Sequence, residues 1–278
     1  VIDTKTKDVL SITANHVAVP VPAVTNNTVP LNASVQEVVD HYAAESAVPA
    51  ARVVGTITAT LSRTFSAAGE SALGDVIADA QLAATASPTT GNAVIAFMNP
   101  GGIRADIPFA AAGKTDGNVT YGEAFTTQPF GNSLVTMTLT GAQIYAALEQ
   151  QWGTAQPYPR ILQVSNGFAY SHTFPLQLID PLNTADGVTF TTSVRGNSYV
   201  VPNSVTLNGV PVGLAATYRV TVNSFMADGG DTFTALIGGT NRLGGAVDTD
   251  ALEAYFSANP TGVAPGPQNR ITKIVTPL

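Results

Sequence analysis

Three loops hold the side chains with the most chemistry to offer. The first is Asn99-Pro100-Gly101-Gly102-Ile103-Arg104. Its paired glycines, Gly101 and Gly102, let a backbone pass close to a bound group and present N–H donors, and Arg104 ends in a planar fork that fits phosphate or carboxylate. The second is Asn223-Ser224-Phe225-Met226-Ala227-Asp228-Gly229-Gly230-Asp231. Behind Gly229 and Gly230, Asp231 can accept hydrogen bonds from a vicinal diol such as that of ribose, with Phe225 beside it. The third, Pro129-Phe130-Gly131-Asn132, sets an aromatic between proline and glycine, where the chain is kinked and the ring is kept off a regular core face. Two flat rings from separate loops could sandwich a purine or pyrimidine, each stacking contact contributing roughly 1–3 kcal/mol.

Each loop alone also has an ordinary explanation. Gly-Gly followed by arginine serves a tight turn with a solvated cation, and phenylalanines at strand ends commonly pack in a core. Taken together, the loops supply what a nucleoside site needs: a base-edge hydrogen bonder, an anion fork, a diol acceptor and stacking faces.

The elements that must position these loops are readable in outline. Ala93 to Met98 is a continuous apolar run, as in a strand buried on both faces, and it empties directly into Asn99. A strand over 132–139 follows the Pro-Phe-Gly loop and leads into Thr140-Gly141-Ala142-Gln143, a capping box for a helix over 141–152. Tyr218 to Val222 forms the strand before Asn223. Apolar spacing predicts further helices over 34–47 and 71–85, and β-branched residues a strand over 51–60. Residues 153–217 read as a meander of short strands, Asp250 and Glu253 as the start of a last helix, and Arg270 to Val275 as a terminal strand. Helices and strands are interspersed without a regular βαβ rhythm, which predicts an α+β fold: a mixed β-sheet layered with helices.

Composition narrows the function classes. Of 278 residues, 45% are apolar and 11% charged, enough for a packed core and unlike a disordered chain. A net charge of −7 leaves no electrostatic footprint for nucleic acid. There is no cysteine, hence no disulfide or thiolate site, and no apolar stretch reaches the length of a membrane span. A Gly-x-Ser-x-Gly elbow and a Walker loop are both missing, and the acid pairs Glu70/Asp75 and Asp228/Asp231 are explained by helix-start charge and turn chemistry.

The same residues carry a resemblance. Glu70-Ser71-Ala72-Leu73-Gly74-Asp75, the Asn-x-Gly-Gly-Ile-Arg loop, Tyr121-Gly122-Glu123-Ala124, Pro-Phe-Gly-Asn, the segment Leu139 to Glu149 and the loop ending at Asp231 stand in the order found in the C-terminal domain of the 5′-nucleotidase family, which this sequence resembles over about 50 to 275. In that family a preceding metallophosphatase domain carries two metal ions and hydrolyses a phosphate ester, while the C-terminal domain binds the nucleoside. The resemblance implies that Phe130 and Phe225 stack on the base, Asn99 reaches its edge, Asp231 holds the ribose hydroxyls and Arg104 faces the phosphate, with Gly101, Gly102, Asn132 and Gly230 completing the substrate-binding loops. Some members have an arginine two residues before the glycine of the Glu-x-x-x-Gly motif, where this chain has Ala72; Arg63 is a candidate replacement or a solvated surface residue.

A di-metal site needs a dense set of His, Asp and Asn ligands, and the chain has only His16, His41 and His172, without ligand-spaced neighbours. No catalytic residue, cofactor or metal is therefore expected in this chain; two divalent ions belong, by resemblance, to the N-terminal domain. Residues 1–33 look like the end of that metallophosphatase domain and a linker, and 34–278 like the nucleoside-binding domain. The expected partners are a nucleoside or nucleoside 5′-phosphate and the N-terminal domain, and the expected location is periplasmic or extracellular. Two other readings stay open: the C-terminal domain of a cyclic-nucleotide phosphodiesterase or thiosulfate-oxidation relative, and a stand-alone, non-catalytic binding module.

Overall fold

The computed structural model describes residues 32–152, 156, 158–173 and 199–274. The chain divides into two units, residues 1–47 and 48–278. The helix expected over 34–47 is present as α1 (Ala33–Ala51), and its apolar residues Val35, Val38, Val39 and Tyr42 are exposed.

Along the second unit follow β1 (Val53–Thr56), α2 (Ala72–Thr85), β2 (Ile95–Met98), β3 (Asn118–Thr120), α3 (Tyr121–Thr127), β4 (Ser133–Thr140) and α4 (Gly141–Glu149). Then come β5 (Gln163–Val164), β6 (Phe168–His172), β7 (Thr206–Leu207), β8 (Val210–Pro211), β9 (Thr217–Asn223), α5 (Ser224–Ala227), β10 (Thr240–Val247), α6 (Asp248–Ala258) and β11 (Ile271–Lys273). The fold is α+β, as the interspersed pattern predicted. The capping box of α4 forms as read, Thr140 Oγ1 accepting from the Gln143 N–H while the Gln143 side chain accepts from the Thr140 N–H, and the helix tightens into a 3-10 turn over Gln150–Trp152. The last helix departs from expectation: it begins at Asp248, straight out of β10, so Asp250 lies inside its first turn instead of capping it.

The central sheet has the order β10-β4-β9-β2-β5. Only β2 and β9 are parallel neighbours; β4 runs antiparallel to β9, β10 to β4 and β5 to β2. It follows that the ends of β2, β9 and β10 and the beginnings of β4 and β5 all lie along one edge of the sheet. Met98 pairs with Gln163, Leu134 with Asn223, and Val247 with Ser133 there. Side chains alternate across a strand. Accordingly Ile95 and Phe97 join a core with Met137, Leu139, Ile144 and Leu148, while Met98 joins another with Leu73, Ile77, Leu252 and Phe256. With both faces covered, β2 must be apolar throughout.

The pair Glu70/Asp75 does more than charge a helix start. Ser71 caps α2, accepting from the Gly74 N–H at 3.1 Å, and both carboxyl groups are fully buried beside it. Glu70 accepts the N–H groups of Arg270 (3.0 Å) and Ile271 (3.2 Å), Asp75 accepts that of Gln268 (3.1 Å), and the Arg270 guanidinium forms a two-pronged bond with Asp79 (2.8 and 2.7 Å). Burial pushes the Asp75 carboxyl up to about 8, against the pull of Arg270 and with reinforcement from Glu70.

Candidate functional site

Each of the three loops leaves the shared sheet edge, and they meet there. After β2 the chain makes a 3-10 turn over Pro100–Gly102, started by a proline whose missing N–H costs nothing at that position. Gly102 packs closely under the loop, and a Cβ on it would lie 2.4 Å from Met98 Cε, so a larger residue would make the Met98 side chain shift. The Arg104 N–H donates to the Thr127 carbonyl at the end of α3 (2.9 Å), which ties this loop to the next. Past α3, Phe130 is 57% exposed, with Gly131 in the left-handed region (φ 62°) behind it and the Arg104 guanidinium 5.9 Å from its ring centre.

The third loop begins with α5, which Asn223 caps by accepting the Met226 N–H at 2.9 Å. Phe225 on that turn is 48% exposed. The chain then doubles back so tightly that a Cβ on Gly230 would lie 2.5 Å from both Phe225 Cε1 and its carbonyl oxygen; only glycine fits against this ring. Asp231 follows with φ 53° and Thr232 with φ 64°. Rings of this size are ordinarily buried, so two phenylalanines held open at one sheet edge are the informative feature.

Between these loops runs a chain of hydrogen bonds. Asn99 Nδ2 donates to Asp231 Oδ2 (2.8 Å), and Asn223 Nδ2 donates to Asn99 Oδ1 (2.9 Å). Asn99 is only 4% exposed. The other Asp231 oxygen faces Arg160 Nε at 3.4 Å. One lone pair on each carboxylate oxygen is thus committed, and the second on each is available to a pair of adjacent hydroxyls. Gly101 lies against the Asn99–Asp231 bond, its notional Cβ 3.5 Å from Asp231 Oδ2. Asn132 is the site residue turned elsewhere: its carbonyl accepts the Asp248 N–H (2.8 Å) and its amide lies 3.4 Å from the Asp248 carboxylate, so it secures α6. Burial pushes the Asp248 carboxyl up from the ordinary range.

A model of the family described as "5′-nucleotidase, C-terminal domain" matches residues 53–237. The chain belongs to that family. It is 30% identical over 209 residues to the trifunctional nucleotide phosphoesterase protein YfkN of Bacillus subtilis, covering 75% of this chain and 13% of that protein. It is 35% identical over 166 residues to the cell wall protein Lmo0130 of Listeria monocytogenes (60% and 18% covered). Among solved structures, a 5′-nucleotidase precursor from Thermus thermophilus superposes with a TM-score of 0.65 at 31% identity, covering 87% of this chain and 43% of that one. The chain therefore spans less than half the length of each of these relatives.

In this 5′-nucleotidase C-terminal domain Asn99 contacts Asp231 and Arg104 contacts Phe130, and further residues join them. Arg160 lies 4.8 Å over the Tyr158 ring and bonds to Gln156 Oε1, while Gln156 Nε2 donates to the Asp231 carbonyl. These residues enter through the segment before β5, at the same sheet edge. For Tyr158 a signal is present in the sequence, since it follows a proline as Phe130 does. Arg63, upstream of Ala72, donates from Nη1 to the Ile103 carbonyl (3.3 Å), next to Arg104, while its own N–H is held by Asp106 (2.7 Å). Among the described residues no group of three or more His, Cys, Asp or Glu side chains is placed to hold a metal ion. His41 is exposed on α1, and His172 is buried with Nε2 on the Ala68 carbonyl (3.0 Å); His16 lies outside the described residues. The described donors do not fit a di-metal centre. No helix among the described residues is long and apolar enough to cross a membrane.

Proposed function

We propose that this chain recognises the nucleoside part of nucleoside 5′-phosphates, and that in the whole protein it holds them for hydrolysis by a preceding metallophosphatase domain. The observation that carries the reading is the meeting of an open Phe130, an open Phe225 and a half-committed Asp231 at one sheet edge. The base stacks between the rings, the ribose hydroxyls donate to Asp231, and Arg104, with Arg63 beside it, faces the phosphate. Remote contacts of this kind hold a scissile ester in line for chemistry performed elsewhere. Asn132, which secures α6, supports the Phe130 loop from behind. The Listeria cell wall relative and the Thermus precursor support a location outside the cytoplasm.

Calorimetric titration of the chain with adenosine, AMP and cytidine tests the reading. Saturable binding is expected, with AMP favoured over adenosine and that preference reduced by Arg104→Ala. Phe225→Ala should weaken all three ligands about tenfold or more, the size of a stacking contact. Asp231→Ala should erase the preference for adenosine over 2′-deoxyadenosine. Folded protein that gives no heat with any of the three at tens of millimolar ligand would overturn it.

A further inference from the structure

We infer that Asn223, which in this fold caps a single turn of helix, is a positioning residue for ribose recognition, acting on Asp231 through Asn99. The inference rests on the nucleoside reading above.

A carboxamide can sit in its site two ways round, donor and acceptor exchanged, and what selects between them is the polarity of its neighbours. At Asn223 the selection is made by the backbone. The Met226 N–H can only donate, so the Asn223 oxygen takes that bond and the Asn223 nitrogen is left pointing at Asn99. Asn99 must then present its oxygen to Asn223 and its nitrogen to Asp231. The direction of all three bonds is therefore set from both ends, by a main-chain N–H that can only donate and a carboxylate that can only accept, and Asn223 transmits the first to Asn99. Asn223 is 1% and Asn99 4% exposed, so water does not compensate for a broken link. Turned the other way, Asn99 would set its oxygen against the Asp231 carboxylate, acceptor against acceptor. The correct polarity gives Asp231 a donor on Oδ2 opposite Arg160 on Oδ1, and this pins the carboxylate plane at a residue whose backbone is itself in the left-handed region. On this account Asn99 acts through Asp231 as a brace for ribose recognition.

Asn223→Asp separates this role from simple capping. Aspartate caps a helix as well as asparagine does, but it has no N–H to give Asn99. Asn223→Ser is the uncharged companion: its hydroxyl oxygen can still cap α5, but the Nδ2 group that donates to Asn99 is gone. Dissociation constants for adenosine and 2′-deoxyadenosine are compared in each. The inference expects the deoxyadenosine constant to move less than about threefold, while the advantage of adenosine falls about tenfold, the scale of a hydrogen bond to a charged group. If the unsubstituted chain prefers adenosine and both variants keep that preference in full, the inference fails and the nucleoside reading stands. If the unsubstituted chain binds neither compound, the reading fails and takes the inference with it; binding without discrimination overturns the inference alone. Should neither variant fold, the unsubstituted chain decides: couplings through the hydrogen bonds from Asn223 Nδ2 to the Asn99 side-chain carbonyl, and from Asn99 Nδ2 to the Asp231 carboxylate, must be visible by NMR, and their absence overturns the inference.

Discussion

Asp231 and Thr232 occupy the left-handed region in succession, a conformation that costs a residue with a side chain roughly 1–2 kcal/mol and a β-branched one the most. Strain of this kind persists where its surroundings over-determine it. At Asp231 those surroundings are Asn99, Arg160 and Gln156; Thr232 has no such reason, and its buried hydroxyl has no hydrogen-bond partner. Thr232→Gly should therefore stabilise the protein by about 1 kcal/mol, net of the extra chain entropy that glycine loses, raising the thermal midpoint by about 2–4 °C in a scanning melt. Gly230→Ala should do the opposite to function: its Cβ displaces the Phe225 ring, and nucleoside affinity should fall about tenfold by calorimetry. The residue types at Phe130, Phe225, Asp231 and Arg104 were legible because each is an odd choice for the turn that holds it. Arg160 was not, because an arginine in a proline-rich stretch reads as solvated until a fold brings an acid to it.

Among the elements, α2 combines an apolar face in the core with a buried carboxyl group in its first turn. Its Asp75 retains a proton in the folded state near neutral pH, whereas in the unfolded chain it titrates as an ordinary aspartate near 4. The native state therefore binds more protons between about pH 4 and pH 8, and stability from this group declines as pH rises through that window. Asp75→Asn should flatten the dependence of the thermal midpoint on pH between 5 and 8, where the parent protein loses stability, as differential scanning calorimetry would record. How far elements could be read depended on whether their signal was local. The box that starts α4 and the apolar run of β2 are local, and both formed as read. The Thr120/Glu123 box of α3 is equally local, but the helix it starts is only seven residues long, too short to carry an apolar periodicity of its own. By contrast β10, with the sequence Thr-Asn-Arg-Leu-Gly-Gly-Ala-Val, has no alternation and is exposed over nearly its whole length; β4 alone makes it a strand.

For the whole molecule, Arg270 is the joint that closes the chain. Lying just before the last strand, it reaches Asp79 on α2 and the Val164 carbonyl on β5 (2.7 Å), while its own N–H is held by Glu70. Arg270→Ala would leave Glu70, Asp75 and Asp79 together without their cation. Removing one partner of a buried ion pair costs about 3–5 kcal/mol, so the variant should unfold at distinctly lower urea concentration with the slope of the transition unchanged.

The convergence of strand ends has a consequence for how affinity can be divided. Residues near 99, 130, 160, 223 and 231 become neighbours only through the ladders linking β5, β2, β9 and β4 in their proper alignment. Even three quarters of the polypeptide is therefore not enough: a fragment ending before β9, residues 1–216 of 278, keeps Phe130 but lacks Phe225 and Asp231. Nicking a connection that carries none of these residues, such as Asn208–Gly209 between β7 and β8, should leave ligand capture almost untouched while the ladders remain intact, so uptake of nucleoside by a population of molecules counts the fraction whose sheet is fully assembled.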